Sequence, residues 1–255
     1  MKVAAIIPAR WASTRFPGKP LFAILGKPLI QHVWDRCQEA RTLAETIIAT
    51  DDMRIAEAAF SFGAQVALTS PRHQSGTDRV AEVAAKLRGF GHIINVQGDE
   101  PAVDPRLIDR LTRALQGNSK VEMVTAASAF EIESDAHNPN NVKVVTALDG
   151  RALYFSRSLI PFQRSGSEPS TKNPRLLWHI GIYGYRRDFL ARFVRWKPTP
   201  LECSEQLEQL RALEHGAAIQ VIRTRHRALG VDTPEDIPRA EEALARRKAG
   251  KAGSR

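Results

Sequence analysis

An apolar strand that breaks straight into a cationic loop punctuated by Pro and Gly constrains this chain more than any other feature. The strand is Val3-Ala4-Ala5-Ile6-Ile7, and the stretch from Ile6 to Leu21, IIPARWASTRFPGKPL, carries Arg10, Arg15 and Lys19 with Gly18 beside the last. Three cations and a flexible backbone after a strand make a cradle for a polyanion. Cationic side chains neutralise phosphate oxygens, and loop N–H groups donate to them. A solvated basic loop is the competing reading, and the interleaved Pro and Gly weigh against it.

Strand and helix signals alternate after the cradle. Gly26-Lys27-Pro28 is followed by Leu29, Ile30, Val33, Trp34 and Cys37 at helical spacing. Thr46-Ile47-Ile48-Ala49-Thr50 reads as a buried strand, Ile55 to Phe62 as a helix stopped by Gly63, and Gln65 to Thr69 as a strand. A polar segment, His73-Gln74-Ser75-Gly76-Thr77-Asp78, leads into a helix with Val80, Val83, Ala84 and Leu87 on one face. His92 to Gln97 is a strand that delivers Gly98-Asp99-Glu100-Pro101 at its carboxyl end, and Asp104 caps a helix with Pro105 at its first position. The pattern is that of an α/β sheet with helices on both faces, in which ligands bind outside the carboxyl ends of strands. The cradle and Gly98-Asp99 both lie at such ends.

The second half changes character. Val121 to Phe130 reads as a strand, Asp149-Gly150 marks a hairpin between Val142–Val145 and Ala152–Phe155, and Trp178 to Tyr185 is a further strand. Residues 163–175 form a polar loop. Leu207, Leu210 and Leu213 indicate a helix, Ile219–Ile222 a strand, Gly230-Val231 a strand end, and a last helix runs to about Arg247. No internal repeat and no interdomain linker is evident.

At 255 residues, with 43% hydrophobic residues, one elaborated folded domain is expected. No apolar run approaches the roughly 20 residues of a membrane span. Lys2 leads directly into a strand, so no signal peptide is expected. Cys37 and Cys203 stand in no metal or redox spacing and read as reduced packing residues. Together these point to a cytoplasmic protein. The net charge of +9 invites a nucleic-acid reading, but aromatic content is 7% and no basic run is interleaved with aromatics. The basic residues after Arg246 form a Gly/Ala-rich tail. A small anionic substrate therefore fits better, and no nucleic-acid or membrane partner is expected.

Asp99 and Asp232 are the candidate metal ligands, because Mg²⁺ brought by a nucleoside triphosphate takes one or two carboxylates and fills its other positions with phosphate oxygens and water. Asp232, in Gly230-Val231-Asp232-Thr233-Pro234-Glu235-Asp236, reads equally as a helix N-cap. No G-x-x-x-x-G-K-[ST], no G-x-G-x-x-G after the first strand and no kinase signature occurs. His179 alone reads as a core histidine, with Tyr183 on the same side of its strand. Arg157 alone reads as a surface arginine. Glu202, Glu205 and Glu208 recur every third residue as the acidic face of one helix, with Gln209 adjacent.

Eight segments in order, PARWASTRFPGKPL, HQSGTDR, NVQGDEP, NPNNVKVV, ALYFSR, HIGIYGY, LEQLR and GVDTPED, resemble the 3-deoxy-manno-octulosonate cytidylyltransferases (CMP-Kdo synthetases) over roughly residues 2–240. The resemblance implies an α/β, Rossmann-like nucleotidyltransferase fold of the nucleotide-diphospho-sugar transferase type, with a mixed central sheet. It implies a single domain over 1–247, with a hairpin, sugar-binding and dimerisation portion around 130–215, and a basic disordered tail at 248–255. It implies the reaction CTP + 3-deoxy-manno-octulosonate (Kdo) → CMP-Kdo + pyrophosphate, which feeds lipopolysaccharide assembly, with Mg²⁺ as cofactor and a homodimer as the assembly. Carried over by position, Arg10 and Lys19 hold the CTP phosphates with Arg15 in support. Gln74, Ser75, Gly76, Thr77 and Asp78 frame the cytidine with Pro8 and Ala9. Asp99 and Asp232 bind Mg²⁺, and Arg10, Lys19, Asp99 and Asp232 form the catalytic set. Gln97, Arg157, His179, Tyr183, Glu208 and Gln209 line the Kdo site, with Arg157 suited to the sugar carboxylate. The rival reading is a cytidylyltransferase for 8-amino-Kdo or sialic acid. Sialate enzymes usually carry Ser-Lys where this chain has Ser13-Thr14-Arg15.

Overall fold

The computed structural model describes residues 1–12, 15–162, 164 and 176–252. The 163–175 loop, apart from Arg164, and the last three residues of the tail lie outside the described residues, as do Ser13 and Thr14. In chain order the elements are β1 (Lys2–Ala9), a 3-10 turn (Lys19–Leu21), β2 (Ala23–Ile24), β3 (Lys27–Pro28), α1 (Leu29–Gln38), β4 (Glu45–Thr50), α2 (Met53–Ser61), β5 (Gln65–Leu68), α3 (Gly76–Lys86), β6 (Phe90–Asn95) and α4 (Pro105–Gly117). They continue with β7 (Met123–Ala129), α5 (Glu133–His137), β8 (Lys143–Thr146), β9 (Ala152–Ser156), β10 (Leu177–Arg186), α6 (Arg187–Phe193), α7 (Pro200–Glu205), α8 (Gln209–Glu214), β11 (Ile219–Thr224), a 3-10 turn (Pro234–Asp236) and α9 (Ile237–Ala252). Contacts group the chain into two compact units, Met1–Asp109 with Ala228–Arg255 and Arg110–Arg227, where one domain over 1–247 is expected from sequence.

In the first unit β1 pairs in parallel with β4 on one side and β6 on the other, and β4 pairs in parallel with β5. Val3 to Ile7 are all buried although their side chains alternate between faces, so the sheet is covered on both. α1 buries Leu29, Ile30, Val33 and Cys37, and burial pushes the Cys37 thiol up to about 12, which keeps it protonated and inert. From β1 the chain moves outward to β4 and β5, then returns to place β6 on the opposite side of β1. That reversal makes a switch point where the loops after β1 and β6 diverge, the expected place for a ligand crevice.

The second unit holds a mixed sheet. β7 pairs in parallel with β11 and antiparallel with β10, β10 pairs antiparallel with β8, and β8 with β9. Tyr185, Phe189, Phe193 and Trp196 form its aromatic core, with ring centroids 5.8–6.5 Å apart.

Three elements differ from the sequence-based expectation. Gly230-Val231 is not part of a strand; it is extended chain whose Val231 N–H reaches the Asp99 carbonyl at 2.9 Å. Glu202, Glu205 and Glu208 do not share one helix, because Gln206 takes a left-handed conformation (φ 52°) between α7 and α8. α9 continues past Arg247 to Ala252, since Ala, Lys and Arg are strong helix formers.

Lys143 on β8 is fully buried, and its ammonium donates to the carbonyls of Asn138 (3.2 Å) and Arg157. Lys143→Ala leaves a cavity and two carbonyls without a donor, and should lower unfolding free energy by about 2–4 kcal/mol in urea titration.

Candidate active site

Each cradle residue is positioned by a neighbour the sequence already contains. Gly18 closes the loop by donating its N–H to the Trp11 carbonyl at 3.1 Å, with φ 71°. A Cβ there would stand 3.0 Å from the Trp11 ring, so Gly18 answers both a backbone and a packing demand. The Trp11 ring also carries the Arg54 guanidinium, 3.5 Å from its centroid, and Arg54 is held by both oxygens of Asp52 at 2.9 and 2.5 Å. Asp52 also caps α2. Phe16 anchors the loop from below, in an apolar cluster with Ile24, Leu29, Leu229, Val231, Ala240 and Leu244. The C-terminal segment therefore shares a core with the cradle.

Gly98 has a different role from a turn glycine. A Cβ there would sit 2.8 Å from the Pro8 carbonyl oxygen, so only glycine lets the end of β6 come this close to the end of β1. Val231 N–H binds the Asp99 carbonyl, and Leu229 N–H binds the Glu100 carboxylate at 2.8 Å. These two bonds set the next residue, Asp232, beside Asp99. Asp232 does not cap the 3-10 turn: Thr233 is the cap residue, in a capping box with Asp236. The Asp232 carboxylate is free to face the cleft.

There the charges meet. The Lys19 ammonium donates to Asp99 Oδ2 at 2.8 Å and lies 3.5 Å from Asp232 Oδ1. The Arg15 guanidinium reaches the same Asp232 oxygen at 3.1 Å. Arg10 is exposed and has no ion pair among the described residues. The surrounding cleft is about 230 Å³, lined by Pro8 and Ala9 from β1, Ser75 and Gly76 from the start of α3, and Gln97 and Gly98 after β6. Four cations face it, Arg10, Arg15, Lys19 and Arg79, against the carboxylates of Asp99 and Asp232. Such a site suits a polyanion. Among the described residues no group of three or more His, Cys, Asp and Glu could hold a metal. Two hard carboxylates that converge on one cation nonetheless match the donor set Mg²⁺ takes when phosphate oxygens supply the rest.

Not every expected side chain faces this cleft. Ser75 and Asp78 engage each other in the capping box of α3, at 3.1 and 3.2 Å, so their side chains fix the helix start. Gln74 bonds the Arg72 carbonyl at 3.3 Å, and Thr77 is buried; neither they nor Asp78 line the cleft. Two residues not singled out from sequence do line it, His73 and Arg79. Arg79 is buried and bonded to Thr69 and to Asp51 Oδ1 at 3.0 Å. Its signal was there: a cation beside Val80 on the buried face of α3. His73 bonds Glu82 at 2.7 Å, and the Glu82 carboxylate also accepts from Ser70 N–H at 2.9 Å and from Lys86 at 2.6 Å. Glu82 thus staples the 70–73 segment to α3. Its Lys86 partner, then the Ser70 N–H and His73, hold its carboxyl down to about 2.

The second unit carries the other expected residues. His179 and Tyr183 lie with ring centroids 5.5 Å apart, on one side of β10 as the strand alternation predicts. Between them the register with β7 shifts, so that Tyr183 faces Thr125. Burial lowers the His179 pKa to about 3 and raises that of Tyr183, whose second influence is the nearby Glu208 carboxylate. Both rings are neutral near pH 7. The Thr125 hydroxyl lies 2.9 Å from His179 Nε2, 2.9 Å from the Ile182 carbonyl and 3.2 Å from the Ile180 carbonyl. A hydroxyl has one proton and two lone pairs, so donation to the Ile182 carbonyl and receipt of a hydrogen bond from Nε2–H satisfy it, an arrangement that leaves Nδ1 as an acceptor. Gln209 is buried at the start of α8, and Glu208 lies 3.9 Å from Arg211. Arg157 is not a surface arginine with an idle fork. Its guanidinium donates to the carbonyls of Glu205 (2.7 Å), Pro139 (3.1 Å) and Gln206 (3.3 Å), while Glu205 accepts from Ser156 and from Arg157 N–H.

A family model described as Cytidylyltransferase matches residues 4–222. A 3-deoxy-manno-octulosonate cytidylyltransferase of Geobacter sulfurreducens is 51% identical over 250 residues, 96% of this chain and 100% of that one. Another protein of that name, from Myxococcus xanthus, is 49% identical over 250 residues, 98% of both chains. A solved structure of a CMP:2-keto-3-deoxy-manno-octonic acid synthetase complexed with CTP superposes with a TM-score of 0.91 at 38% identity, covering 97% of this chain and all of that one. A cytidylyltransferase from Leptospira borgpetersenii, 17% identical with a TM-score of 0.63 over 94% of this chain and 85% of that one, shares the fold.

The Glu82 staple has a pH signature. Its folded pKa lies near 2, below the ordinary 4.5, so the unfolded chain binds more protons between those values and stability rises with pH across that window. Glu82→Gln should therefore be less stable than wild type at neutral pH, and thermal denaturation should show the gap closing as pH falls from about 4.5 toward about 2.

Proposed function

The chain belongs to the cytidylyltransferase family, and we infer that it transfers the cytidylyl group of CTP to 3-deoxy-manno-octulosonate, releasing pyrophosphate and feeding lipopolysaccharide biosynthesis. The observation that carries this reading is the cleft at the β1/β6 switch point, where Lys19 and Arg15 meet Asp99 and Asp232. Whole-length identity to proteins named for this activity supplies the sugar.

The anomeric hydroxyl oxygen of Kdo forms a bond to the α-phosphorus, and the bond from that phosphorus to the β-phosphate oxygen breaks in line. The hydroxyl proton leaves to solvent or to the departing pyrophosphate. The barrier is largely one of positioning and of neutralising charge. We assign Arg10, Arg15 and Lys19 to the β- and γ-phosphates, where they bind the triphosphate and take up the charge that builds on pyrophosphate. Pro8, Ala9 and the backbone of Ser75-Gly76 frame the cytidine, with His73 and Arg79 in the same wall. The Ser75–Asp78 capping box holds the first turn of α3 in place for this, so Ser75 and Asp78 act by fixing backbone. We propose that Asp99 and Asp232 hold Mg²⁺, which when bound screens the phosphates and orients their oxygens.

For the sugar acid we propose His179, Tyr183, Glu208 and Gln209 of the second unit, while Gln97 is proposed to meet it from the lining of the first unit's own cleft. The neutral, accepting Nδ1 of His179 suits a sugar hydroxyl. Arg157, engaged by three carbonyls, is better placed to fix the chain around Glu205 and Gln206 than to grip a carboxylate through a free fork. We also propose a homodimer working in the cytoplasm. No described helix is long and apolar enough to cross a membrane.

Pyrophosphate release measured with CTP or UTP against Kdo, 8-amino-Kdo and sialic acid tests the reading. CTP with Kdo should be the best pair by at least about tenfold in kcat/KM; preference for another acid would replace the substrate. Asp99→Asn should lower kcat by about 10²–10³-fold with an unchanged melting profile, the size expected for a lost charge-orienting group. Near-normal CMP-Kdo formation would remove Asp99 from the metal set. Lys19→Ala should lose rate, and a change confined to the KM for Kdo would contradict its phosphate role.

A further inference from the structure

The Lys19 ammonium stands against both carboxylates assigned to the metal, 2.8 Å from Asp99 and 3.5 Å from Asp232, and Arg15 adds a second cation on Asp232 at 3.1 Å. These are also the cations assigned to the triphosphate. They cannot serve both partners at once. A divalent ion needs carboxylate oxygens at about 2.1 Å in octahedral array. An ammonium donating to the same oxygen blocks that approach sterically and repels a dication.

The two contacts differ in strength. Arg15 and Asp232 are 65% and 50% exposed, so water and salt screen their pair. Lys19 is 13% exposed and Asp99 33%, so theirs is the firmer lock. Lys19 has little freedom at its backbone: it opens a 3-10 turn between Gly18 in its left-handed conformation and buried Pro20. Its side chain borders the cleft of about 230 Å³.

We infer that Lys19 is the resident counter-ion of the Asp99–Asp232 pair and that a triphosphate is what removes it. The incoming phosphates draw Lys19, and with it Arg15, off the carboxylates, and the same event bares both aspartates for the divalent cation. Nucleotide and metal then bind with positive coupling, and the pair holds a divalent cation poorly while no nucleotide is present. Linkage makes the coupling reciprocal, so a cation on the aspartates also frees Lys19 for phosphate. The inference rests on the site assignments of the proposed function, and it turns on the position of one ammonium.

The test uses the full chain without nucleotide or sugar, and Mn²⁺ as the probe, its free concentration read by electron paramagnetic resonance. Lys19→Gln should bind Mn²⁺ roughly tenfold more tightly than wild type, within the range of coupled sites. Adding Asp99→Asn to Lys19→Gln should erase the gain. Arg15→Gln, which leaves the Lys19–Asp99 lock in place, should give a smaller gain, and it supplies the reading if Lys19→Gln fails to fold. Wild-type affinity equal to that of the variants, or a gain that survives Asp99→Asn, overturns the inference. No turnover enters this readout. A failure here leaves sugar activation standing, and a chain that shows the Mn²⁺ pattern but makes no CMP-Kdo overturns only the proposed reaction.

Discussion

Two hydrogen bonds carry the architecture of the cleft: Val231 N–H to the Asp99 carbonyl and Leu229 N–H to the Glu100 carboxylate, the second joining residues 129 positions apart. Net of the water they displace, the first contributes about 1 kcal/mol and the second, to a carboxylate, about 1.5–3 kcal/mol, too little to hold a chain segment alone. They are directional, however, and the force behind them is not. Leu229, Val231, Ala240 and Leu244 bury themselves with Phe16 of the cradle and Leu29 of α1. The hydrophobic effect brings the segment in, and the two bonds fix its register to the residue. Asp232 then has one place to go. A charged cleft is thus the rim of an apolar cluster, and its geometry is only as good as the packing underneath.

This explains what the sequence makes legible. Parallel strands buried on both faces are continuous apolar runs, so β1, β4 and β6 are readable, and with them the switch point where Arg10 and Asp99 emerge. The role of Asp232 is ambiguous in the sequence because Asp-Thr-Pro-Glu-Asp offers two cap residues in a row. The fold chooses Thr233, a shift of one position that frees the aspartate, and the choice depends on Val231 being tied to Asp99. The Glu202–Glu208 spacing reads as one helix because nothing local announces a left-handed Gln206. With the break, Glu202 pairs with Arg211 at 2.8 and 2.5 Å, and Glu205 holds Ser156 and Arg157 N–H. Two apparently solvated acids become internal ties.

Arg157 shows the converse. Its pairing with three carbonyls is invisible in sequence because backbone acceptors carry no residue signature. Arg79 is hard to read in the sequence for a related reason: its partners, Thr69 and Asp51, come from elsewhere in the unit, and only its place on the buried face of α3 hints that it matters. Cations in this chain are read wrongly when counted as a net charge. Arg54 lies on Trp11 and Asp52, Arg79 on Asp51, and Lys19 and Arg15 on the two aspartates. Such pairs cancel and add nothing to the net charge of +9, so that number does not locate the cleft, where four cations face two carboxylates.

His179 and Tyr183, proposed for the sugar acid in the second unit, are neutral groups, and a sugar hydroxyl both donates and accepts. Burial keeps His179 uncharged down to a pH of about 3 and keeps the Tyr183 hydroxyl protonated. The Thr125 hydroxyl, shared between two carbonyls and one imidazole, has a single proton to give. The shift of register brings the Ile180 and Ile182 carbonyls and the imidazole onto one threonine hydroxyl. An irregularity in a strand, silent in the LWHIGIYGY pattern, packs Thr125 against a histidine that burial keeps neutral down to a pH of about 3.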